Sequence, residues 1–459
     1  MTKKSAVFIG IAAFLALLFT GCGAPQGSGS VTVEGTLIDP CGQPQPYTTV
    51  YIPGQEPALS DAEGHFTFTD VASPYDLVVA GAHLLNDRPS RISVLVYQGL
   101  TRTDPVIVAA TDRHTLAGCE RMSVSGSIEP VRDSAAYRNG VGIVAGQAAA
   151  GGNFAYDADP AYELSLAYEP GVSKASLFAM QWRRDTSNWD AVEYLGYTRR
   201  QITLDGEELT QDLNLSTPMG SRPVRVTLAA GAPLPLESIG QFVSVDGENL
   251  NIRTSRMYPP EAENGVYNFV APVADGVQPL MVARTYYGSE VEAGSVGGRS
   301  LEGVGAEILF WKRAAADEDS IEMTMPDPVV PIAPLAGSQL IDFEGARFSW
   351  AGPEGAVYDS IFDLGRTGYS IEVVTASTSI EIPNLRDVGL AYRNDRIDRV
   401  RWRIYALGGE GAPTSVDEVA EGSSRAFVFD FERGVPHTPV GFFIKLDAGR
   451  LLIGQPGDK

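Results

Sequence analysis

Short runs of alternating or β-branched residues, each fenced by Pro, Gly or Asp, set the pattern of the chain from residue 31 onward. Val31, Val33, Gly35 and Leu37 are followed by Thr49-Val50-Tyr51-Ile52, then Phe66-Thr67-Phe68, then Tyr75-Asp76-Leu77-Val78-Val79. A period of two in short runs is the mark of strands with one face in a core, and β-branched and aromatic residues suit a pleated, half-buried surface. The runs predict a succession of hairpins. They also recur: Val124-Ser125-Gly126-Ser127-Ile128, Val141-Gly142-Ile143-Val144, Gly152-Asn153-Phe154-Ala155-Tyr156 and Tyr162-Glu163-Leu164-Ser165-Leu166 repeat the series about 90 residues on. Tyr97-Gln98-Gly99-Leu100-Thr101-Arg102 is echoed by Tyr194-Leu195-Gly196-Tyr197-Thr198-Arg199. Duplication of one supersecondary unit explains both echoes. A looser third copy runs from Val224-Arg225-Val226-Thr227-Leu228 through Val266-Tyr267-Asn268-Phe269 to Tyr286-Tyr287-Gly288.

The pattern changes at both ends. After Trp311 the chain turns acidic at Asp317-Glu318-Asp319, and Pro326, Pro328, Pro331 and Pro334 disfavour helix and central strand, which predicts a linker. Strand-like runs return at Phe348-Ser349-Trp350, Val357 to Phe362, Ser370 to Val374, Ser379 to Ile382 and Arg401 to Ala406, and Phe427 to Phe431 and Gly441 to Ile444 add a last strand or pack on a neighbour. At the start, Lys3 and Lys4 precede an apolar run from Ala6 to Phe19 and then Leu18-Phe19-Thr20-Gly21-Cys22. A cationic end, an apolar core and small residues at a cleavage point predict an export signal rather than a spanning helix, cut before Cys22. Residues 22 to 30, rich in Gly and Ser, form a tether.

Composition agrees with an all-β, multi-domain protein. Of 459 residues, 49 are Gly and 30 are Pro, which favours turns and short strands over long helices, and the length predicts three or four domains. The formal charge is −22, and loss of Lys3 and Lys4 with the signal takes it to −24. Such a field repels nucleic acid and anionic head groups. Three cysteines are present. With Cys22 set aside, Cys41 and Cys119 are a candidate disulfide in an oxidising compartment, two separate thiols being the alternative.

The Leu18 to Cys22 segment resembles the lipobox of bacterial lipoproteins, although Phe19 stands where that family usually has Leu. The resemblance implies a Cys22 carrying a diacyl group on sulfur and a further acyl chain, palmitate among them, on its amino group, and hence a membrane partner through a lipid anchor. Gly23 after the Cys implies, by analogy with enteric lipoproteins, the outer membrane of a Gram-negative bacterium. The segments Val33 to Asp39, Gly42-Gln43-Pro44, Val50 to Gly54, Ser60 to Phe68 and Tyr75 to Val79 resemble the carboxypeptidase regulatory-like domain, a transthyretin-like β-sandwich that implies a fold and no chemistry. In it, Asp61 and Gly64 shape a tight turn and Phe66 enters the core. Trp350 on an early strand and Trp402-Arg403-Ile404-Tyr405-Ala406 on a late one resemble a fibronectin type III sandwich. The expected architecture is thus a tandem β-sandwich array: signal 1–21, tether 22–30, units at 31–120, 121–217 and 218–312, linker 313–337, terminal sandwich 338–430 and C-terminal strand and tail 431–459.

Candidate chemistry is sparse. His65, His83, His114 and His437 lack metal-ligand spacing, no Gly-x-Ser-x-Gly elbow is present, and Gly294 to Arg299 lacks the ending of a phosphate loop. Asp157 with Asp159, Asp246 with Glu248, Asp205 with Glu207 and Glu208, and Asp317 to Asp319 could lend oxygens to calcium, but none completes the full loop. Asp205-Gly206 and Asp246-Gly247 read better as hairpin turns. Trp182 and Trp189 flank a polar stretch whose first reading is one tryptophan in a core and the other covering a strand edge, with a surface for stacking on sugar rings or anchoring a protein as the competing role. The expectation is a non-enzymatic envelope lipoprotein without cofactor or metal, displaying a surface for envelope proteins. A carbohydrate-binding accessory to a glycan- or peptide-degrading system, with polysaccharide as partner, is the competing reading.

Overall fold

The computed structural model describes residues 29–39, 41–85, 88–108, 119–132, 135–145, 160–185, 190–228, 236–245, 251–257, 265–287, 295–296, 299–300, 305–315, 317–340, 343–365, 369–386, 399–410, 412–421 and 440–453. Cys22 and the leader, His114, His437, Trp189, Asp157, Asp159, Asp246, Glu248 and the run Phe427 to Phe431 lie outside them. The described chain is almost wholly β, arranged as four sandwiches.

The first unit contains β1 (Ser30–Ile38), β2 (Thr49–Tyr51), β3 (Ala58–Leu59), β4 (His65–Ala72), β5 (Tyr75–Leu85), β6 (Arg88–Leu100) and β7 (Val106–Val108). Alternation does what the sequence predicts: Val33 and Leu37 of β1 and Phe66 and Phe68 of β4 point into one core. Asp61 closes the turn before β4, its Oδ1 accepting from the amides of Glu63 at 3.0 Å and His65 at 2.7 Å. β1 lies between β4, antiparallel, and β7, parallel, while β5 lies between β2 and β6.

The second unit contains β8 (Glu120–Glu129), β9 (Tyr137–Val144), β10 (Ala161–Tyr168), β11 (Lys174–Arg184), β12 (Ala191–Thr203), β13 (Glu208–Thr210), β14 (Leu213–Asn214) and β15 (Thr217–Pro218). The plan is the same: β8 lies between antiparallel β10 and parallel β13, and β11 between β9 and β12. Sequence and register coincide at one point. Gly35 pairs with Phe66 and Gly126 with Tyr162. A Cβ on Gly35 would stand 2.2 Å from the Phe66 ring, and one on Gly126 would stand 2.1 Å from the Gln211 carbonyl and 3.1 Å from the Tyr162 ring. In both units the missing side chain is the space across which the aromatic ring lies. The other echo is not equivalent: Tyr97 sits opposite Leu77, far from its hairpin tip, whereas Tyr194 sits opposite Trp182 near the tip. Asp205-Gly206, expected as a hairpin turn, instead carries the chain from β12 in one sheet to β13 in the other.

The third unit contains β16 (Gly220–Leu228), β17 (Leu236–Val245), β18 (Asn251–Met257), β19 (Val266–Val273), β20 (Val277–Tyr287), a small ribbon β21 (Ser295–Val296) and β22 (Arg299–Ser300), β23 (Gly305–Arg313) and β24 (Ser320–Met323). Again the first strand, β16, lies between antiparallel β19 and parallel β24, and β20 lies between β17 and β23. The looser third copy thus shares the strand plan of the first two. Its last strand falls inside the expected linker, because Ile321 and Met323 alternate inward to join the third core.

The terminal unit contains β25 (Val330–Ala333), β26 (Gln339–Leu340), β27 (Arg347–Ala351), β28 (Val357–Leu364), β29 (Tyr369–Thr375), β30 (Ser379–Glu381), β31 (Arg399–Gly408), the one-turn helix α1 (Val416–Val419) and β32 (Val440–Ile453). A three-stranded sheet, β25-β27-β30, faces the four strands β29-β28-β31-β32. Phe348, Trp350, Phe362 and Trp402 fill the space between, with the Phe362 and Trp402 rings stacked at 6.1 Å. Pro331 sits in β25, an edge strand, where the missing amide costs no ladder bond. The last strand expected at Gly441 to Ile444 is longer and more central than the sequence suggests: β32 lies between β31 and β23 at the middle of the largest sheet.

That sheet joins three units. Its order is β18-β17-β20-β23-β32-β31-β28-β29-β6-β5-β2-β3, with β26 beside β32, so the terminal unit is set between the third and the first.

Candidate functional site: the joints between units

Three joints hold the tandem units together. The first is made of backbone. β6 pairs in parallel with β29 from Ile92 with Tyr369 to Tyr97 with Val374, and β23 pairs antiparallel with β32 from Gly305 with Asp447 to Lys312 with Val440. Edge strands that would template pairing with other chains are thereby consumed within the molecule.

The second joint is a polar clasp beside the β6–β29 seam. Ser415 caps α1 by accepting from the Glu418 amide. This places Asp417 over the end of β6. One oxygen of Asp417 accepts from the amides of Thr101 at 2.8 Å and Arg102 at 3.0 Å, and the other from the Thr101 hydroxyl. Arg102 in turn pairs with Glu421 at 2.9 Å and Asp104 at 3.0 Å. Burial alone would raise the Asp417 carboxyl, but the hydrogen bonds from Thr101 and Arg102 and the Arg102 charge outweigh it and hold the group below its ordinary value. Tyr75 donates to the Arg102 carbonyl at 2.6 Å, and burial, then the Asp417 charge, push its phenol up. The Thr-Arg pair that ended the sequence echo is therefore the receptor for α1.

The third joint holds the second unit against the third. Trp182 is 2 % exposed and packs with Phe178, Met180, Tyr194, Val243, Ile252 and Val277. It is the core tryptophan that the sequence favoured, and the competing surface role for Trp182 is corrected, because β11 is buried on both faces: one lines the second core, the other this joint. With Trp189 outside the described residues, no observation here favours the glycan reading. Beside the tryptophan runs a buried polar seam, in which Gln241 Oε1 and Trp182 Nε1 have no hydrogen-bond partner among the described residues. Tyr194 donates to Thr254 Oγ1 at 2.7 Å and accepts from Gln241 Nε2 at 2.7 Å, and Gln241 Nε2 also reaches the Val270 carbonyl at 2.8 Å. Burial raises the Tyr194 phenol, with the bonds to Thr254 and Gln241 opposing it. Asp190 accepts from the Arg256 amide at 2.9 Å, and Ser255 Oγ accepts from the Ala191 amide at 3.1 Å. The outer edge of β18 is thus covered by the second unit.

A covalent tie completes the set. Asp39 Oδ1 accepts from the amides of Cys41 at 2.7 Å and Gln43 at 2.9 Å and shapes the loop that presents Cys41. Cys41 is bridged to Cys119, Cα to Cα 5.2 Å, fastening the loop after β1 to the residue before β8. Of the sequence candidates, then, Cys41 and Cys119 come together and Trp182 enters a joint. Asp417 and Gln241 went unmarked in the sequence, and Tyr194 was marked only as part of a repeat, for their partners lie many residues away and only the fold brings them close. Among the described residues no three His, Cys, Asp or Glu side chains are grouped as a metal site would need.

No family model and no curated protein matches the chain. Among solved structures, the Bacillus anthracis TIE protein is 9% identical, covering 64% of this chain and 50% of its own, with a TM-score of 0.15. A leucine-rich repeat protein from Bacteroides thetaiotaomicron is 12% identical, covering 45% of this chain and 26% of its own, also at 0.15. A streptococcal ancillary pilin is 9% identical, covering 65% of this chain and 98% of its own, at 0.15. The chain therefore spans half the length of the first and about a quarter of the second. At such scores these likenesses carry no argument.

Proposed function

We propose that the chain is a non-enzymatic, lipid-anchored scaffold of the cell envelope, carrying a stiff array of β-sandwiches that displays protein-binding surfaces away from the membrane. The observation that carries this reading is the continuity of one sheet through three sandwiches, with the fourth fixed by a buried seam. A body joined in this way holds surfaces at set distances, and its joints leave little freedom for the domain closure by which many enzymes gate a site. The leader and Cys22 support attachment, since more than one acyl chain anchors firmly where one is marginal. The strand plans support three regulatory-like units and a type III-like terminal sandwich.

The test combines alkyne-palmitate labelling with cross-linking in the native envelope. The wild-type chain is expected to take up label, Cys22→Ser to take up none, and cross-linking to recover defined envelope proteins. Equal labelling of both chains, or recovery of polysaccharide with no protein, would overturn the proposal.

A further inference from the structure

The three repeated units differ in what happens to one equivalent edge. In the first unit the outer edge of β6 is taken by β29, and in the third the outer edge of β23 is taken by β32. The same edge in the second unit belongs to β12, and there the covering is partial: β15 pairs with Gly196 and Tyr197 alone. From Thr198 to Thr203 the described residues place no strand beside it. The Leu204 amide donates inward to the Ser173 carbonyl at 2.9 Å, and the Leu195 carbonyl accepts outward from the Met219 amide. Backbone groups alternate in direction along an antiparallel strand, so the N–H and C=O of Gln201 and Thr203 face away from β11. Both residues are exposed, and the ladder with β11 over this stretch runs without a bulge. Of the devices that usually blunt an edge, a proline, a bulge and a very short strand are missing here, and charge is present, as Arg199 and Arg200.

We infer that the β12 edge over Thr198–Thr203 is a docking site for an extended acidic segment of a partner protein, which adds to the sheet as a strand. Main-chain hydrogen bonds supply affinity in this mode and flanking side chains choose the partner. Arg199 and Arg200, both exposed, stand on opposite faces of the sheet beside the open backbone, Arg199 with one guanidinium nitrogen donating to Ser176 Oγ of β11 at 3.3 Å. Opposite charges across a strand pair attract and like charges repel. Self-pairing of this edge between two copies would bring four arginines together, whereas an acidic strand meets one on each face. The inference deepens the scaffold reading and rests on it, naming where a protein partner engages.

The test uses the full chain and a fluorescein-labelled peptide of about eight residues alternating Glu with Thr and Val, beside a version with Lys in place of Glu. Gln201→Pro removes an outward amide at a place where proline is tolerated, and circular dichroism checks its fold. The acidic peptide is expected to bind wild type, to bind Gln201→Pro and Arg199→Glu/Arg200→Glu about tenfold or more weakly, and to outcompete the Lys peptide. N-methylation of alternate peptide amides tests the same hydrogen bonds on the unaltered protein, should Gln201→Pro not fold. Binding indifferent to methylation and to Gln201→Pro, equal binding of the Lys peptide, or no binding at all overturns the inference. A dimer of wild type that Gln201→Pro abolishes in sedimentation would make the occupant a second copy and overturn the acidic partner. Envelope proteins cross-linked equally to wild type and Gln201→Pro would sink the edge and leave the scaffold standing, while no envelope protein on either would sink the scaffold.

Discussion

Replacing Asp417 with Ala should open the joint between the first and terminal units while leaving the second unit unchanged. The side chain accepts three hydrogen bonds, two from backbone amides at 2.8 and 3.0 Å and one from the Thr101 hydroxyl. Hydrogen bonds to an ionised carboxylate contribute roughly 1.5–3 kcal/mol each, but this group is only half-buried and water replaces part of what is lost, so the expected loss is about 2 kcal/mol, roughly thirtyfold in the opening equilibrium. Hydrogen exchange followed by mass spectrometry reads it locally: amides of Ile92 to Tyr97 and Tyr369 to Val374 should exchange faster, with those of β11 as the internal control. The acid dependence has a definite sign. Because the carboxyl is held below its ordinary value in the folded chain, its contribution is present above the unfolded value and fades as pH falls through the folded one. Wild type and Asp417→Ala should therefore converge once pH drops below the usual carboxylate range. Unchanged exchange in both seam peptides, or an equal rise in β11, would refute the account of the clasp as a local fastener.

Trp182→Ala should lower the melting temperature of the whole chain, by a loss of about 3–5 kcal/mol for a buried aromatic, and leave no surface property altered; a neutral effect on melting would return the residue to the surface. Gly35→Val should cost about 1–3 kcal/mol by forcing the Phe66 ring from its place, with Thr36→Val on the same strand as a milder control, read by urea denaturation. Reducing the Cys41–Cys119 bridge, which encloses 78 residues of separation, should remove about 4–5 kcal/mol in the loop-entropy model, and Cys41→Ser with Cys119→Ser should melt like the reduced wild type.

What could be read from the sequence is what a strand declares about itself. Val33-x-Gly35-x-Leu37 and Val124-x-Gly126-x-Ile128 announce a period of two and a repeated unit, and the register confirms the equivalence of their glycines. What was hidden is pairing between edges. Main-chain hydrogen bonds are nearly blind to side-chain identity, so nothing in Ile92 to Tyr97 names Tyr369 to Val374 as its neighbour. Burial on two faces was hidden too: Phe178, Met180 and Trp182 look like an exposed strand face in isolation because the surface they meet belongs to another unit. The prolines after Pro326 read as a linker for a sound reason, yet an edge strand tolerates Pro331, and Ile321 and Met323 carried a two-residue period too short to stand out.

The position of the terminal sandwich bears on the order in which the molecule can be completed. Chains emerge from their N-terminus, and β6 is made long before β29, the strand that covers it. Until nearly the whole polypeptide is available, the first sandwich carries an uncovered parallel-pairing edge, and the third waits likewise for β32. Pairings so distant in sequence close slowly, and an open edge during the delay invites association with neighbouring chains. A molecule with this sheet order has a vulnerable period set by its own length, during which chaperones would have to shield both edges until the last strand arrives.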